Sequence, residues 1–308
     1  MNKKVMMSVD AGGTKTKVAL IDFDKNILFE KVGESGSPAV LKEKAIENIV
    51  NLVKESISLN NSEYDIVYIQ MGISGLGVVK NKAEYEKQLS EELNIPVSME
   101  NDAMMALYSS VTDLYEEGIV ILAGTGSAVC GINKDDKVML NGGWGHLLTE
   151  DGSSYSAVRS LIIKMIGQYE RGEEICPLGQ KLMAQLNVTD LPNIRNFVYY
   201  KTKDEIASYS KLISAEAYNG DVDALEILKT AAIELANRVI VLSKRLGIAT
   251  TEKKSVLGFR GGFVSNIPMV REEINKVLEK NGYYFSIADG KVDPVYGGFY
   301  MAKRKKAF

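Results

Sequence analysis

An apolar run, Val5-Met6-Met7-Ser8-Val9, ends on a single carboxylate, Asp10, and continues into Ala11-Gly12-Gly13-Thr14. A few residues later an alternating stretch begins, Lys17-Val18-Ala19-Leu20-Ile21-Asp22. The interval is too short for a crossover helix, so the two strands must pair as an antiparallel hairpin. This excludes the strand-to-helix joint of a P-loop or dinucleotide site and places a glycine turn between strands. Gly12 and Gly13 permit positive φ and close approach of the backbone to a ligand. Thr14 and Thr16 add hydroxyl donors. Asp10, at the strand end, suits a hydrated Mg²⁺, which takes few carboxylates and keeps several waters. Gly12, Gly13, Thr14 and Lys15 are therefore candidates for phosphate contact and Asp10 for the metal. The plain alternative is a glycine hairpin with a surface aspartate.

The chain that follows reads as alternating strands and helices. A third antiparallel strand is expected over 26–32, then the loop Gly33-Glu34-Ser35-Gly36-Ser37-Pro38. Ile46, Ile49, Val50, Val53 and Ile57 recur at helical spacing. A buried strand over 65–71 runs into Gly72-Ile73-Ser74-Gly75, and a helix carrying Tyr85, Leu89 and Leu93 leads to a short strand at 96–99. Glu100-Asn101-Asp102 then opens the next helix. At Gly118 the pattern restarts: strand, glycine turn Gly124-Thr125-Gly126-Ser127, and two further strands over 128–132 and 137–141. This weak echo of the first hairpin predicts an internal duplication. Residues 153–247 read as helical, with Leu225, Leu228, Ala232, Leu235, Val239 and Leu242 as the core stripe of a long helix. A strand from Val256 leads into Gly261-Gly262, a helix starts at Pro268, a late strand covers 283–287, and a helix closes the chain from Pro294.

At 308 residues the chain has room for one large domain or two ordinary ones. A net charge of −3 argues against a nucleic-acid or anionic-membrane partner, and the basic cluster Lys303-Arg304-Lys305-Lys306 is short and terminal. No apolar run reaches the length of a membrane span. A strand begins almost at Met1, so no signal peptide is expected. Cys130 and Cys176 lack paired spacing, which predicts free thiols in a reducing cytoplasm.

Three glycine turns at strand ends, around Gly12, Gly124 and Gly261, form the expected constellation, the first two as anion nests for phosphates and the third, Gly261 and Gly262, beside the adenosine. Asp102 reads in two ways. It is either a helix cap or a base that takes the proton of a hydroxyl attacking a γ-phosphate. The most specific stretch runs from Gly142-Gly143-Trp144-Gly145-His146 through Glu150-Asp151-Gly152-Ser153 and holds the protein's one Trp and one His. Trp144 between glycines suits a sugar, and Glu150 or Asp151 suits vicinal hydroxyls. His146 reads as a hydrogen-bonded loop histidine rather than a catalytic group.

Asp10-Ala11-Gly12-Gly13-Thr14, Gly124-Thr125-Gly126-Ser127 and Gly142-Gly143-Trp144-Gly145-His146 with Gly152-Ser153 resemble the N-acetylglucosamine kinase family. That family lies within the sugar-kinase/Hsp70/actin superfamily and is related to the ATPase activators of 2-hydroxyacyl-CoA dehydratases (the BadF/BadG type). The resemblance implies an α/β, two-lobed, actin-like fold of duplicated ribonuclease-H-like domains around a central cleft. The expected lobes are 1–116, closed by a C-terminal helix over 294–308, and 117–293 with a helical insertion. It implies ATP and Mg²⁺ as cofactors, transfer to the 6-hydroxyl of an amino sugar, and Asp102 as the catalytic base. It further implies phosphate contacts from Gly12, Gly13, Thr14, Lys15, Gly124, Thr125, Gly126 and Ser127. The implied sugar contacts are Ser37, Ser74, Gly75, Asn101, Asp102, Gly143, Trp144, Gly145 and Glu150.

Two departures bear on the sugar. The family's Gly-Asp-Glu-Gly-Ser is Thr149-Glu150-Asp151-Gly152-Ser153 here, and its Asn in the loop after the third strand is missing from 33–40. N-acetylglucosamine is the expected acceptor, with N-acetylmuramic acid tolerated. Glucosamine kinase and a dehydratase-type ATPase activator are the alternatives. The expected partner is a small amino sugar, without nucleic acid or membrane, and a homodimer is left open. A non-catalytic sugar sensor ranks last, because both phosphate turns look intact.

Overall fold

A computed structural model describes residues 2–248 and 254–308. Contacts divide the chain into two compact units: Met1–Tyr115 with Lys291–Phe308, and Glu116–Gly290.

The first unit holds β1 (Lys3–Ala11), β2 (Thr16–Asp22), β3 (Ile27–Gly33), α1 (Pro38–Leu41), α2 (Glu43–Asn60), β4 (Tyr64–Ile73), α3 (Lys82–Leu93), β5 (Val97–Asn101) and α4 (Asp102–Val111). Its sheet runs β3-β2-β1-β4-β5. β2 is antiparallel to β1 and β3, whereas β4 is parallel to β1 and β5. Val5, Met7, Val9, Ile69 and Met71 are buried in the core shared with Ile49 and Val53 of α2. The C-terminal helix (Val295–Arg304) covers the opposite face through Val295, Phe299 and Ala302 against Met6, Ala19 and Ile21.

The second unit begins with β6 (Gly118–Ala123), β7 (Ser127–Ile132) and β8 (Val138–Gly142). A helical stretch follows: α5 (Ser154–Glu170), α6 (Pro177–Gln185), α7 (Ile194–Tyr200), α8 (Lys203–Ser208), α9 (Ser210–Tyr218) and α10 (Val222–Leu246). Then come β9 (Val256–Arg260), α11 (Gly262–Ser265), α12 (Pro268–Lys280) and β10 (Ser286–Ile287), before the chain returns to the first unit with α13 (Val295–Arg304). The sheet order is β10-β9-β6-β7-β8, with β6 antiparallel to β7 and parallel to β9. Read from its other edge this is β8-β7-β6-β9-β10, the same order and the same strand directions as in the first unit. The expected duplication is therefore present in the topology.

Local expectations hold with three adjustments. In α10 the buried stripe runs through Ala224, Leu228, Ala232, Leu235, Val239 and Leu242, while Leu225 is 41% exposed. Leu225 lies about 100° around the helix from Ala224, outside the apolar face. The late strand shrinks to Ser286–Ile287, since only these residues pair with β9. β5 extends through Glu100 and Asn101, which pair with Gly72 and Ile73 of β4, so the strand ends where the helix begins.

Candidate functional site

In the first unit, three parallel strands end side by side. Asp10 of β1 lies opposite Gly72 of β4, and Gly72 lies opposite Glu100 of β5, with Asp102 two residues further on. The carboxyl ends of parallel strands are the usual ligand-binding edge of such a sheet. The hairpin turn is closed by the Gly12 amide donating to the Lys15 carbonyl at 2.9 Å, leaving Gly13, Thr14 and Lys15 exposed. The loop after β3 is pinned on it, since the Gly36 amide donates to the Gly12 carbonyl at 3.1 Å. A Cβ at Gly36 would lie 2.5 Å from the Thr16 hydroxyl, so only glycine lets the loop settle so closely. Ser74 donates its amide to the Ala11 carbonyl at 2.8 Å, and Gly75, at φ +74, packs against Ala39 and the buried Ser37. Ser37, Ser74, Gly75, Asn101 and Asp102 thus gather around the hairpin that carries Asp10.

The residue that caps α4 is the one before Asp102. Asn101 is the cap of α4, accepting from the Ala103 amide at 2.9 Å, and Asp102 is the first helical residue. Asp102 Oδ1 also accepts from that amide at 3.0 Å, so the helix end does not depend on it. Burial raises the Asp102 carboxyl above the usual aspartate range, against the lowering effect of hydrogen bonds from the Ser74 hydroxyl and the Ala103 amide. Asp10 is pushed up to about 6, first by burial, then by the charges of Asp102 and Asp293, with Lys15 and Lys17 opposing. Asp293 is itself held by Lys17 at 2.7 Å.

In the second unit the turn from Gly124 to Gly126 connects β6 to β7 and sits on the start of α5. The Ser154 amide donates to the Gly124 carbonyl at 2.8 Å and the Tyr155 amide to the Thr125 carbonyl at 3.3 Å. Gly261 follows β9 at φ +97, and a Cβ there would lie 2.5 Å from the Ala123 carbonyl. The second and third glycine turns are therefore side by side. They border a cavity of about 380 Å³ whose lining includes Gly124, Thr125, Gly262, Phe263 and Asn266, together with Asp204, Ser208, Lys211 and Ser214 from α8 and α9. A cavity of this size, apolar in part with a few polar groups, fits a small ligand. Gly126 and Ser127 are not part of its lining. Gly126 faces Glu150 and Lys203, and the Ser127 hydroxyl donates to the Asp151 carbonyl at 2.7 Å and accepts from Arg238 at 3.0 Å.

The glycine–tryptophan stretch is tethered to the same turn. Gly142, Gly143 and Gly145 all have positive φ, and the Gly143 amide donates to the Ser127 carbonyl at 3.1 Å. His146 packs edge-on against Tyr155, with ring centres 5.2 Å apart. Trp144 stands 71% exposed. Glu150 is buried and ion-paired to Lys203 of α8, while Asp151 is exposed and accepts from the Thr149 hydroxyl at 3.1 Å.

The sequence reading missed Lys203, Asp204, Ser208, Lys211, Ser214 and Asn266. A capping box, Thr202 with Glu205, marks the start of α8, but no local signal says that α8 and α9 fold back onto a glycine turn far earlier in the chain.

Among curated proteins, the chain is 28% identical over 305 residues to the N-acetylmuramic acid/N-acetylglucosamine kinase of Clostridium acetobutylicum, covering 97% of this chain and 98% of that protein. It is 29% identical to the N-acetyl-D-glucosamine kinase of Dictyostelium discoideum, covering 99% of this chain and all of that protein. A solved structure from Chromobacterium violaceum, provisionally named an N-acetylglucosamine kinase, superposes with a TM-score of 0.70 at 16% identity over 96% of this chain and 98% of that one. That likeness confirms the fold. The model of the BadF/BadG/BcrA/BcrD ATPase family matches residues 8–302, and the chain belongs to that family.

Proposed function

We propose that this protein is an ATP-dependent amino-sugar kinase that phosphorylates the 6-hydroxyl of N-acetylglucosamine and tolerates N-acetylmuramic acid. The observation that carries the reading is Asp102: a carboxylate at the end of a parallel strand, beside Asp10, whose helix is capped by Asn101 instead. In the proposed reaction Asp102 takes the proton of the sugar hydroxyl. The hydroxyl oxygen bonds to the γ-phosphorus, the bond from that phosphorus to the bridging oxygen breaks, and ADP leaves. Full-length similarity to two kinases of these sugars supports the acceptor class.

The residues present fit the cofactors. Burial first, and then the charges of Asp102 and Asp293, raise the pKa of Asp10, and a bound divalent cation would oppose that rise. One or two carboxylates with waters and phosphates are what Mg²⁺ needs. Mg²⁺ would supply charge neutralisation at the phosphates, and Asp10 would hold it. Gly12 to Lys15 and Gly124 to Ser127 would bind phosphates, and the cavity beside Gly261 and Gly262 would take the adenosine. Ser37, Ser74, Gly75 and Asn101 would contact the sugar, with Gly143, Trp144 and Gly145 against its N-acetyl group.

The cysteines favour the kinase over an iron–sulfur ATPase activator. Cys130 is buried within β7, where burial pushes its thiol up to about 12, and Cys176 is buried before Pro177. Neither offers a ready thiolate ligand. The test is sugar-dependent ADP release with N-acetylglucosamine, N-acetylmuramic acid, glucosamine and glucose. No sugar-dependent release would overturn the kinase reading. Higher kcat/KM for glucose or glucosamine than for both acetylated sugars would overturn the acetyl pocket alone.

A further inference from the structure

Beyond its bond to Ser127, Arg238 has no part in the site described above. It comes from α10, which packs against β7 and β8. Leu235 of that helix lies under Gly152, where a Cβ would come 2.6 Å from the leucine Cγ. Arg238 follows three residues later and so shares the same face. It donates from Nη1 to the Ser127 hydroxyl at 3.0 Å. A Cβ at Gly142, at φ +97, would lie 2.9 Å from the same nitrogen. The glycine that opens the tryptophan stretch therefore also leaves room for the guanidinium.

An arginine carries donors and no acceptor. The Ser127 hydroxyl that accepts from Arg238 must send its own proton elsewhere, and it goes to the Asp151 carbonyl at 2.7 Å. The Ser127 carbonyl in turn accepts from the Gly143 amide at 3.1 Å. Three stretches thus meet on one serine: the turn 124–127, the tryptophan stretch from Gly142, and the acidic loop before α5. Arg238 fixes the direction of that junction, because without its N–H the hydroxyl is free to turn away from Asp151. Glu234, one helical turn earlier, is the carboxylate such an arginine would ordinarily meet. It makes no ion pair with Arg238, and among the described residues no other carboxylate does. A half-buried guanidinium without a counter-charge, bonded to a turn suited to phosphate, gains from an anion arriving there.

We propose that Arg238 is a positioning residue that couples the nucleotide and sugar sites. Phosphate at the turn draws the guanidinium onto Ser127, and Ser127 then holds the tryptophan stretch and the acidic loop in their sugar-binding arrangement. This role rests on the kinase reading above, and binding tests it without turnover. The Kd of N-acetylglucosamine is measured by calorimetry with and without saturating Mg²⁺-AMPPNP, a non-hydrolysable ATP analogue. In wild type the nucleotide is expected to tighten sugar binding by about tenfold, and the sugar to tighten nucleotide binding equally. Arg238→Met is expected to cut that factor below about twofold while each ligand alone keeps its Kd within about threefold. Ser127→Ala should lower the coupling as far, and the double variant no further, because the two residues act in series. Wild-type coupling below about twofold overturns the proposal. So does an Arg238→Met protein that keeps the wild-type factor, or a double variant whose losses simply add. Weaker binding of each ligand alone with the coupling intact also overturns it, since that is what a merely structural arginine would give. If Arg238→Met does not fold, Ser127→Ala decides by the same ratio. Failure of the kinase reading is seen separately, as a wild-type protein that releases no ADP with any sugar.

Discussion

Lys203 holds both carboxylate oxygens of Glu150, at 2.7 and 2.6 Å, directly beneath Gly126. A Cβ at Gly126 would lie 2.7 Å from the nearer Glu150 oxygen and 2.8 Å from the Lys203 nitrogen, so the glycine makes room for the pair. Glu150, which family resemblance assigns to the sugar, is thus already committed within its own unit. Breaking a buried pair by removing one partner is costly because the other charge stays buried and unpaired. Lys203→Met should lower stability by about 3 kcal/mol, read as a fall in Tm. Glu150→Gln should cost less and leave the KM for sugar within about threefold of wild type. A tenfold or larger rise in that KM with unchanged Tm would return Glu150 to the sugar.

Asp102 and Asn101 should separate chemistry from capping. Asp102→Asn keeps the shape and removes the proposed base, so kcat should fall by roughly 10²–10⁴-fold with little change in sugar affinity. Asn101→Ala should cost about 1 kcal/mol of stability, the usual worth of such a cap. Steady-state kinetics and thermal unfolding on both variants check this. An Asp102→Asn enzyme within a few-fold of wild-type kcat would mean the carboxylate serves only the helix end.

Asp10 gives a pH dependence of definite sign. Its folded-state pKa of about 6 lies above its ordinary value of 3.8, so the folded state binds its proton more tightly than the unfolded chain does. That contribution to stability is fully present below about pH 4 and is lost as pH rises through 6. Asp10→Asn should therefore be more stable than wild type at pH 8, by up to about 3 kcal/mol for a shift of this size. The difference should shrink to about half by pH 5 and vanish below about pH 4. Saturating Mg²⁺-ATP should raise the Tm of wild type more than that of the variant. Equal Tm differences at pH 5 and pH 8 without ligand would show that Asp10 carries no such strain.

The closing helix makes its own test. A Cβ at Gly297 would lie 2.0 Å from the Met105 carbonyl oxygen, and one at Gly298 would lie 2.2 Å from the Ser8 hydroxyl, which itself donates to the Val295 carbonyl. Backbone cannot yield as a flexible side chain does. Gly297→Ala should destabilise the first unit by about 2–3 kcal/mol or more. Because α4 and β1 carry Asp102 and Asp10, kcat should fall as well. A variant with unchanged Tm and kcat would show that α13 is not seated on α4 through this glycine.

Most of the fold and half of the site are legible in residue order, because hairpins, strand ends and caps are local. The spacing from Asp10 to Lys17 forces a hairpin whatever surrounds it. The glycine turns after β6 and β9 show as breaks in apolar strands, and Asn101-Asp102 shows as a strand-to-helix joint. What the sequence by itself leaves open is decided by long-range contact. Two adjacent residues able to cap the same helix look alike until the strand register ends β5 at Asn101. Glu150 and Lys203 are 53 residues apart, and nothing local pairs them. The cavity beside Gly124 is walled by α8 and α9, whose sequences read as ordinary amphipathic helix. Periodicity reports which face of a helix is buried and is silent on what that face meets, so only the packed structure shows which polar groups a ligand will find.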